Sequence, residues 1–395
     1  MPGPLTRFIA IQSAEELAAQ MLNVAIGWYV YSLTHNPMSL AWAGLAQFLP
    51  NAATAMLAGQ AADRFDRRKP AGWSAAAQTA CVTAFAAWTA LAAPSALPVY
   101  LLEFLLGTAR AFGAPAMSAV LPGMVSAEEF PRAMAASSSA FQICTIAGPA
   151  IGGLLYAAGG RMVFAAAAAL YLFAWTQTWR LPAGQCTEAR TEESMLAGVR
   201  YVRANRMLLG LLSLDLFAVL LGGVTALLPI YARDILAVGP MGLGCLRCAP
   251  GVGAAIVGLV LARRAARHEM GKSMLTCVAG FGLATVVFAV STSFWLSLAA
   301  LAAAGGCDMV SMVIRHTMVQ MATPDAMRGR VSAINWVFIG ASAELGEFES
   351  GATAALLGTV PAALLGGLGT LAVVGLWTML FPELSEKERR ANQTA

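Results

Sequence analysis

Charge is what this 395-residue chain has least of: Asp, Glu, Lys and Arg together make 12% of it, against roughly a quarter in a soluble domain. That scarcity excludes a disordered chain, which needs many charges and little apolar content. Histidine is scarcer still, with three copies, His35, His268 and His316. His35 and His268 fall in turns, and His316, next to Arg315, reads as a packing residue ahead of a titrating one. Seven cysteines are scattered without a pairing pattern, which excludes a disulfide scaffold. The one C-x-x-C, Cys245 to Cys248, sits inside an apolar run with no histidine near it. It reads as small packing residues, so no metal is expected. No phosphate-binding P-loop occurs, so ATP is not the expected energy source, and no cofactor or enzymatic activity is expected.

Apolar residues are what the chain has in excess: 58% of it is hydrophobic, with a mean hydropathy of +0.67. A soluble core could not hide that much apolar surface. A bilayer core about 30 Å thick takes roughly 20 apolar residues per helix. Twelve such runs can be read: 8–33, 40–61, 71–93, 99–121, 133–157, 162–179, 207–230, 241–261, 272–291, 295–321, 329–355 and 361–381. The first is too long for a cleavable signal peptide and carries Glu15 and Glu16.

Basic residues set the orientation. Only Arg161 and Arg233 fall on one side of the alternation, and Arg110, Arg247 and Arg315 fall inside runs. The other 20 of the 25 share the opposite side, which is therefore expected to be cytoplasmic, with both termini there. The net charge of +4 is an orientation signal, and no nucleic-acid partner is needed to explain it.

One long polar connection, 181–206, divides the runs six and six. Within it Met195, Val199 and Val202 are spaced as on an amphipathic helix lying on the cytoplasmic surface. A shift of 200 residues places Gly44 on Gly244, Pro50 on Pro250, Tyr31 on Tyr231 and Glu15 on Asp215. The expected organisation is a six-helix bundle over 1–180, the linker, a second bundle over 207–382 and a tail over 383–395. Internal repeats of this kind build many secondary transporters.

The turn after the second run reads Gly59-Gln-Ala-Ala-Asp63-Arg64-Phe-Asp66-Arg67-Arg68. It resembles the G-x-L-A-D-R-x-G-R-R loop of the major facilitator superfamily, with Ala61 and Asp66 in place of Leu and Gly. Gly59, Asp63, Arg64, Arg67 and Arg68 carry the match. In such a loop a carboxylate accepts from the N–H groups of a neighbouring helix start, and arginines pair with acidic groups, so the contacts can latch one of two states. A purely topogenic basic loop is the alternative. The fifth run contains Gly148-Pro149-Ala-Ile-Gly152-Gly153, similar to an element of the superfamily's antiporter branches. Close helix packing alone would look the same. The stretch Ser-Ala-Glu344-Leu-Gly-Glu347-Phe-Glu-Ser-Gly resembles a segment of the branch that exports drugs and siderophores. Glu344 and Glu347, three apart, suit an outer gate that pairs with Arg161 or Arg233, or a solvated helix end.

The resemblance implies an all-α membrane fold of twelve transmembrane helices in two pseudo-symmetric bundles. Helices one, four, seven and ten line the central cavity in that superfamily. Glu15, Glu16, Glu103, Arg110, Asp215, Asp308 and Arg315 fall on those runs, and Arg247 on the eighth. A charge at such depth is costly and belongs in a bundle interior or wet cavity. Burial disfavours a charged carboxylate, so such a group can load and release a proton near neutral pH. Glu15 and Asp308 are the expected carriers, Arg110 the counter-charge, and Asp215, Arg247 and Arg315 further coupling candidates. Trp28 and Trp336 suit contact with an apolar substrate.

The expected function is proton-coupled efflux of a small amphipathic molecule, a drug-like compound or a siderophore, by alternating access. Small-molecule substrate, protons and membrane lipids are its expected partners, the inner membrane its place, and a monomer its form. Uptake, movement of a lipid-like cargo, and a non-transporting sensor on the same scaffold are the alternatives.

Overall fold

A computed structural model describes residues 3–64, 66, 68–91, 95–126, 128–182, 195–263, 270–324 and 327–383. Side chains are described there except at 55–64, 90, 91, 195–199, 328–330, 333, 336, 337 and 341. The described chain is helical nearly throughout. Its helices are α1 (Pro4–Thr34), α2 (Pro37–Arg64), α3 (Arg68–Leu91), α4 (Leu97–Val120), α5 (Phe130–Ala158) and α6 (Gly160–Thr178). A short α7 (Met195–Ala204) precedes α8 (Arg206–Gly222), α9 (Gly239–Ala262), α10 (Met270–Val290), α11 (Phe294–Ala322), α12 (Arg328–Leu357) and α13 (Thr359–Leu380).

Local chemistry explains the boundaries. Proline stands in the first turn of α1, α4 and α5, where its missing N–H costs nothing and its fixed φ suits a helix start. His35 closes α1 in the left-handed region, with φ 50°. Gly358, with φ 93°, turns the chain between α12 and α13, a conformation that excludes most side chains. Asn205 caps α8 by accepting from the N–H groups of Met207 and Leu208.

Eleven of these helices coincide with apolar runs to within a few residues, and α8 covers the first part of the remaining run. Seven stretches among the described residues are long and apolar enough to cross a membrane by composition alone. α1 is not among them, because Gln12, Glu15, Glu16, Gln20 and Asn23 dilute it. The run 207–230 is not one continuous helix. α8 ends at Gly222, and the chain continues through a 3-10 turn (Thr225–Leu227) and a π turn (Tyr231–Ile235). Two adjacent glycines and Pro229 break a segment that is apolar without interruption.

The chain divides into two compact units, Met1–Arg190 with Pro229–Cys248, and Thr191–Leu228 with Ala249–Ala395. In the first unit α2 packs on α4, α1 on α5 and α6, and α3 on α4 and α6. Phe8, Ile11, Met117, Val120, Leu121, Ala133 and Leu181 form a core at one end of it. Next to that core, Arg7 Nη1 donates to the Arg180 carbonyl at 2.6 Å and Arg68 Nη1 to the Leu181 carbonyl at 3.1 Å. Two cations thus satisfy carbonyls left over where α6 ends.

In the second unit α10 packs on α11 and α13, α8 on α12 and α13, and α7 on α12. Leu208, Leu211, Leu212, Met274, Val331 and Trp377 are among its core residues. Arg206, the first residue of α8, donates to the Leu380 carbonyl at 3.0 Å and lies 3.5 Å from Glu383. This is the counterpart of the Arg7 staple, about 200 residues further along. The start of α1 is thus tied to the end of α6, and the start of α8 to the end of α13.

Candidate functional site

The first unit holds a cleft of about 310 Å³. α1 builds one wall with a single face: Gln12, Glu15, Glu16, Ala19, Gln20 and Asn23 recur three or four residues apart, the spacing that stacks side chains along a helix. The opposite face of α1 carries Ile11, Ala14, Ala18, Met21, Leu22 and Ala25, all buried. α3 contributes Ser74 and Gln78, α4 contributes Arg110, Gly113, Ala114 and Met117, and Phe8 and Phe141 add rings.

The two neighbouring glutamates are held differently. Glu16 Oε1 accepts from Gln20 Nε2 at 2.8 Å and from Thr145 Oγ1 at 2.9 Å, so it joins α1 to α5. Ser137 adds a second joint between the same helices by donating to Gln12 Oε1. Glu15 faces the cleft and interacts electrostatically with Arg110. Arg110 Nη2 in turn donates to the hydroxyl of Tyr171 at 3.1 Å. Tyr171 is wholly buried on α6, and Glu103, 5% exposed, lies on α4 two turns before Arg110. Ser74 donates to the Ala109 carbonyl at 2.6 Å and accepts from Gln78 at 3.1 Å, which closes the cleft's α3–α4 side.

Helix five meets two different neighbours through its glycines. A Cβ on Gly152 would stand 2.8 Å from the Met21 Cα, so only glycine lets α5 and α1 approach this closely. A Cβ on Gly148 would press on Gln20, and one on Gly153 would meet Pro240 and Gly244 at the start of α9. Gly152, Gly153 and Pro149 are buried. Close by, Cys248 donates to the Ile146 carbonyl at 2.8 Å. The sequence showed these glycines, and the structure adds which neighbour each one meets.

The second unit holds three more intramembrane charges, Asp215, Asp308 and Arg315. Arg315 on α11 and Asp215 on α8 form an ion pair, with side chains 4% and 9% exposed. Asp215, Asp308 and Ser311 border a space of only about 10 Å³, at the lower limit for one water molecule. Asp308 itself is exposed. His316, next to Arg315, lies 3.3 Å from the Asn335 amide.

The remaining expected residues lie elsewhere. Arg247 is half-buried beside Gly27 of α1 in the first unit. Gly59, Asp63 and Arg64 end α2, with side chains outside the described residues, and Arg67 is outside them altogether. Arg68 is bound by Asp66 at 2.7 Å, and that hydrogen bond raises its pKa above the usual arginine value. Glu344 and Glu347 are half-buried on α12. Arg233 lies 4.0 Å from Asp234, whose carboxylate accepts from Tyr31. The side chain of Trp336 is outside the described residues, and Trp28 does not line the cleft.

Residues 7–394 match the model of the transmembrane secretion effector family. The chain belongs to that family, within the major facilitator superfamily. It is 29% identical to the enterobactin exporter EntS of Escherichia coli O157:H7 (strain EC4115 / EHEC), over 99% of this chain and 92% of that protein. The same figures hold for EntS of Escherichia fergusonii. Among solved structures, the nucleoside transporter NupG superposes with a TM-score of 0.76 at 12% identity, covering 96% of this chain and 99% of that one. The POT family transporter PepTSo superposes with a TM-score of 0.77 at 11% identity, covering 97% and 98%. The fold is that of a major facilitator transporter. The protein is a multi-pass membrane transporter of small molecules, not an enzyme.

Proposed function

We propose that this chain is a proton-coupled exporter of a small amphipathic molecule of the siderophore or drug-like class, working by alternating access. The observation that carries the proposal is the polar face of α1 opposite Arg110. Five amide or carboxylate side chains and an arginine within apolar helices are costly unless something polar occupies the cleft. Glu15 is the proton carrier and Arg110 its counter-charge. Glu16, tied to Thr145 and Gln20, keeps α5 in place. Asp308 is a second carboxylate open to a proton, while Asp215 and Arg315 neutralise each other.

Export is favoured by the similarity to enterobactin exporters and by the helix-five element. On this reading both termini lie in the cytoplasm, as the basic residues favour, and 181–206 separates the two repeats. On this reading Asp63 and the arginines of the 59–68 turn latch one state, and Glu344 and Glu347 close the outer side. Coupling follows if substrate and proton favour different protonation states of Glu15.

The test is flux in proteoliposomes under an imposed pH gradient, with enterobactin and a panel of lipophilic cations as probes. The expected result is uphill movement of one probe that collapses with the gradient. Flux indifferent to the gradient, or no flux of any probe, contradicts the proposal.

A further inference from the structure

We infer that Tyr171 is a positioning residue for the Arg110–Glu15 pair, acting through Arg110 and not through substrate. The inference rests on the reading of the cleft as the coupling site. Tyr171 sits on α6 behind Arg110, wholly buried, and does not line the cleft. Its hydroxyl accepts from Arg110 Nη2 at 3.1 Å. A guanidinium donates in a fixed planar fork, so anchoring one Nη fixes where the rest of the fork points.

The hydroxyl has a proton of its own. With its oxygen engaged by Arg110, that proton is directed elsewhere, and Glu15 and Glu103 are the carboxylates whose fields reach it. Glu16 is the further carboxylate acting on Arg110. Tyr171 is therefore the one group in the cluster able to accept from the arginine and donate to a carboxylate. A phenylalanine there would fill the same space and lose the bond from Arg110. Arg110 would then be free to follow whichever carboxylate is charged, and the Glu15 proton would no longer meet a fixed counter-charge.

The test uses the full-length protein in liposomes and reads carboxyl protonation by difference infrared spectroscopy, which needs no transported substrate. The Glu15 carboxyl band is identified by its loss in E15Q. In Y171F that band is expected to titrate at a pH displaced by about one unit, the worth of one buried hydrogen bond. In an R110Q background, Y171F is expected to cause no further displacement. An unchanged midpoint in Y171F overturns the inference. So does an equal displacement with and without Arg110, because Tyr171 would then act on Glu15 directly. A thermal midpoint for Y171F near that of the wild type separates positioning from simple loss of packing, and a collapsed one overturns the assignment. Absence of any titrating band that E15Q removes overturns the coupling reading itself, a result distinct from the others.

Discussion

The two units share a staple and differ in what they do with their buried charges. In each, an arginine at a helix start donates to a carbonyl at the end of another helix, Arg7 of α1 to Arg180 after α6 and Arg206 of α8 to Leu380 of α13. In the first unit, Glu15 and Arg110 face a cleft of about 310 Å³. In the second, Asp215 and Arg315 close on each other, and about 10 Å³ remains beside them. A charge held by its opposite is structural, and one with space in front of it can exchange protons or bind. On the proposed reading Glu15 and Arg110 in the first unit carry chemistry, while Asp215 and Arg315 in the second serve as an internal tie.

Breaking the closed pair should have the largest effect on stability. R315Q or D215N leaves one buried charge without its partner, at a cost of about 3–5 kcal/mol. Thermal unfolding in detergent should show a large fall in midpoint for either single variant. The apolar double variant D215L/R315M should recover most of it, since a well-packed apolar replacement is often neutral. E15Q, on the open side of the comparison, should leave the midpoint nearly unchanged. Equal losses from E15Q and D215N would erase the distinction between the units.

Glycine contacts come next. G152A in the first unit places a Cβ against the Met21 backbone, and G305A in the second against the Pro250 backbone. Overpacking of this kind costs about 1–3 kcal/mol. Both should lower the thermal midpoint. G152A should also slow flux more than G305A does, because it forces α1 and its polar face away from α5.

The staples should matter least. R7Q removes a hydrogen bond worth about 1 kcal/mol. R206Q should cost less, because that side chain is 67% exposed and its ion pair with Glu383 is screened. A difference scan of unfolding at low and high salt checks the order: R206Q should converge on the wild type as salt rises.

Much of this was legible in the sequence. Twelve apolar runs and the interval at 181–206 gave the helices, because bilayer thickness imposes a length that composition reveals. The end of α8 at Gly222 was hidden, since Gly222, Gly223 and Pro229 interrupt the backbone inside a stretch that stays hydrophobic. The pairing of Asp215 with Arg315 was also hidden: each residue stood out as a buried charge, but 100 residues separate them and no local pattern joins them. Gln12, Gln20 and Asn23 had a visible signal, their helical spacing around Glu15 and Glu16, which attention to charged residues alone passes over. Tyr171 had none. The role inferred for it depends on α6 packing against α1 and on the bond from Arg110, both tertiary facts.

Uphill flux in proteoliposomes under a pH gradient tests whether Glu15 couples the proton to transport. For whichever probe the wild type concentrates, E15Q should lose gradient-driven accumulation while remaining folded and inserted. An E15Q protein that still concentrates the probe against its gradient would contradict the account.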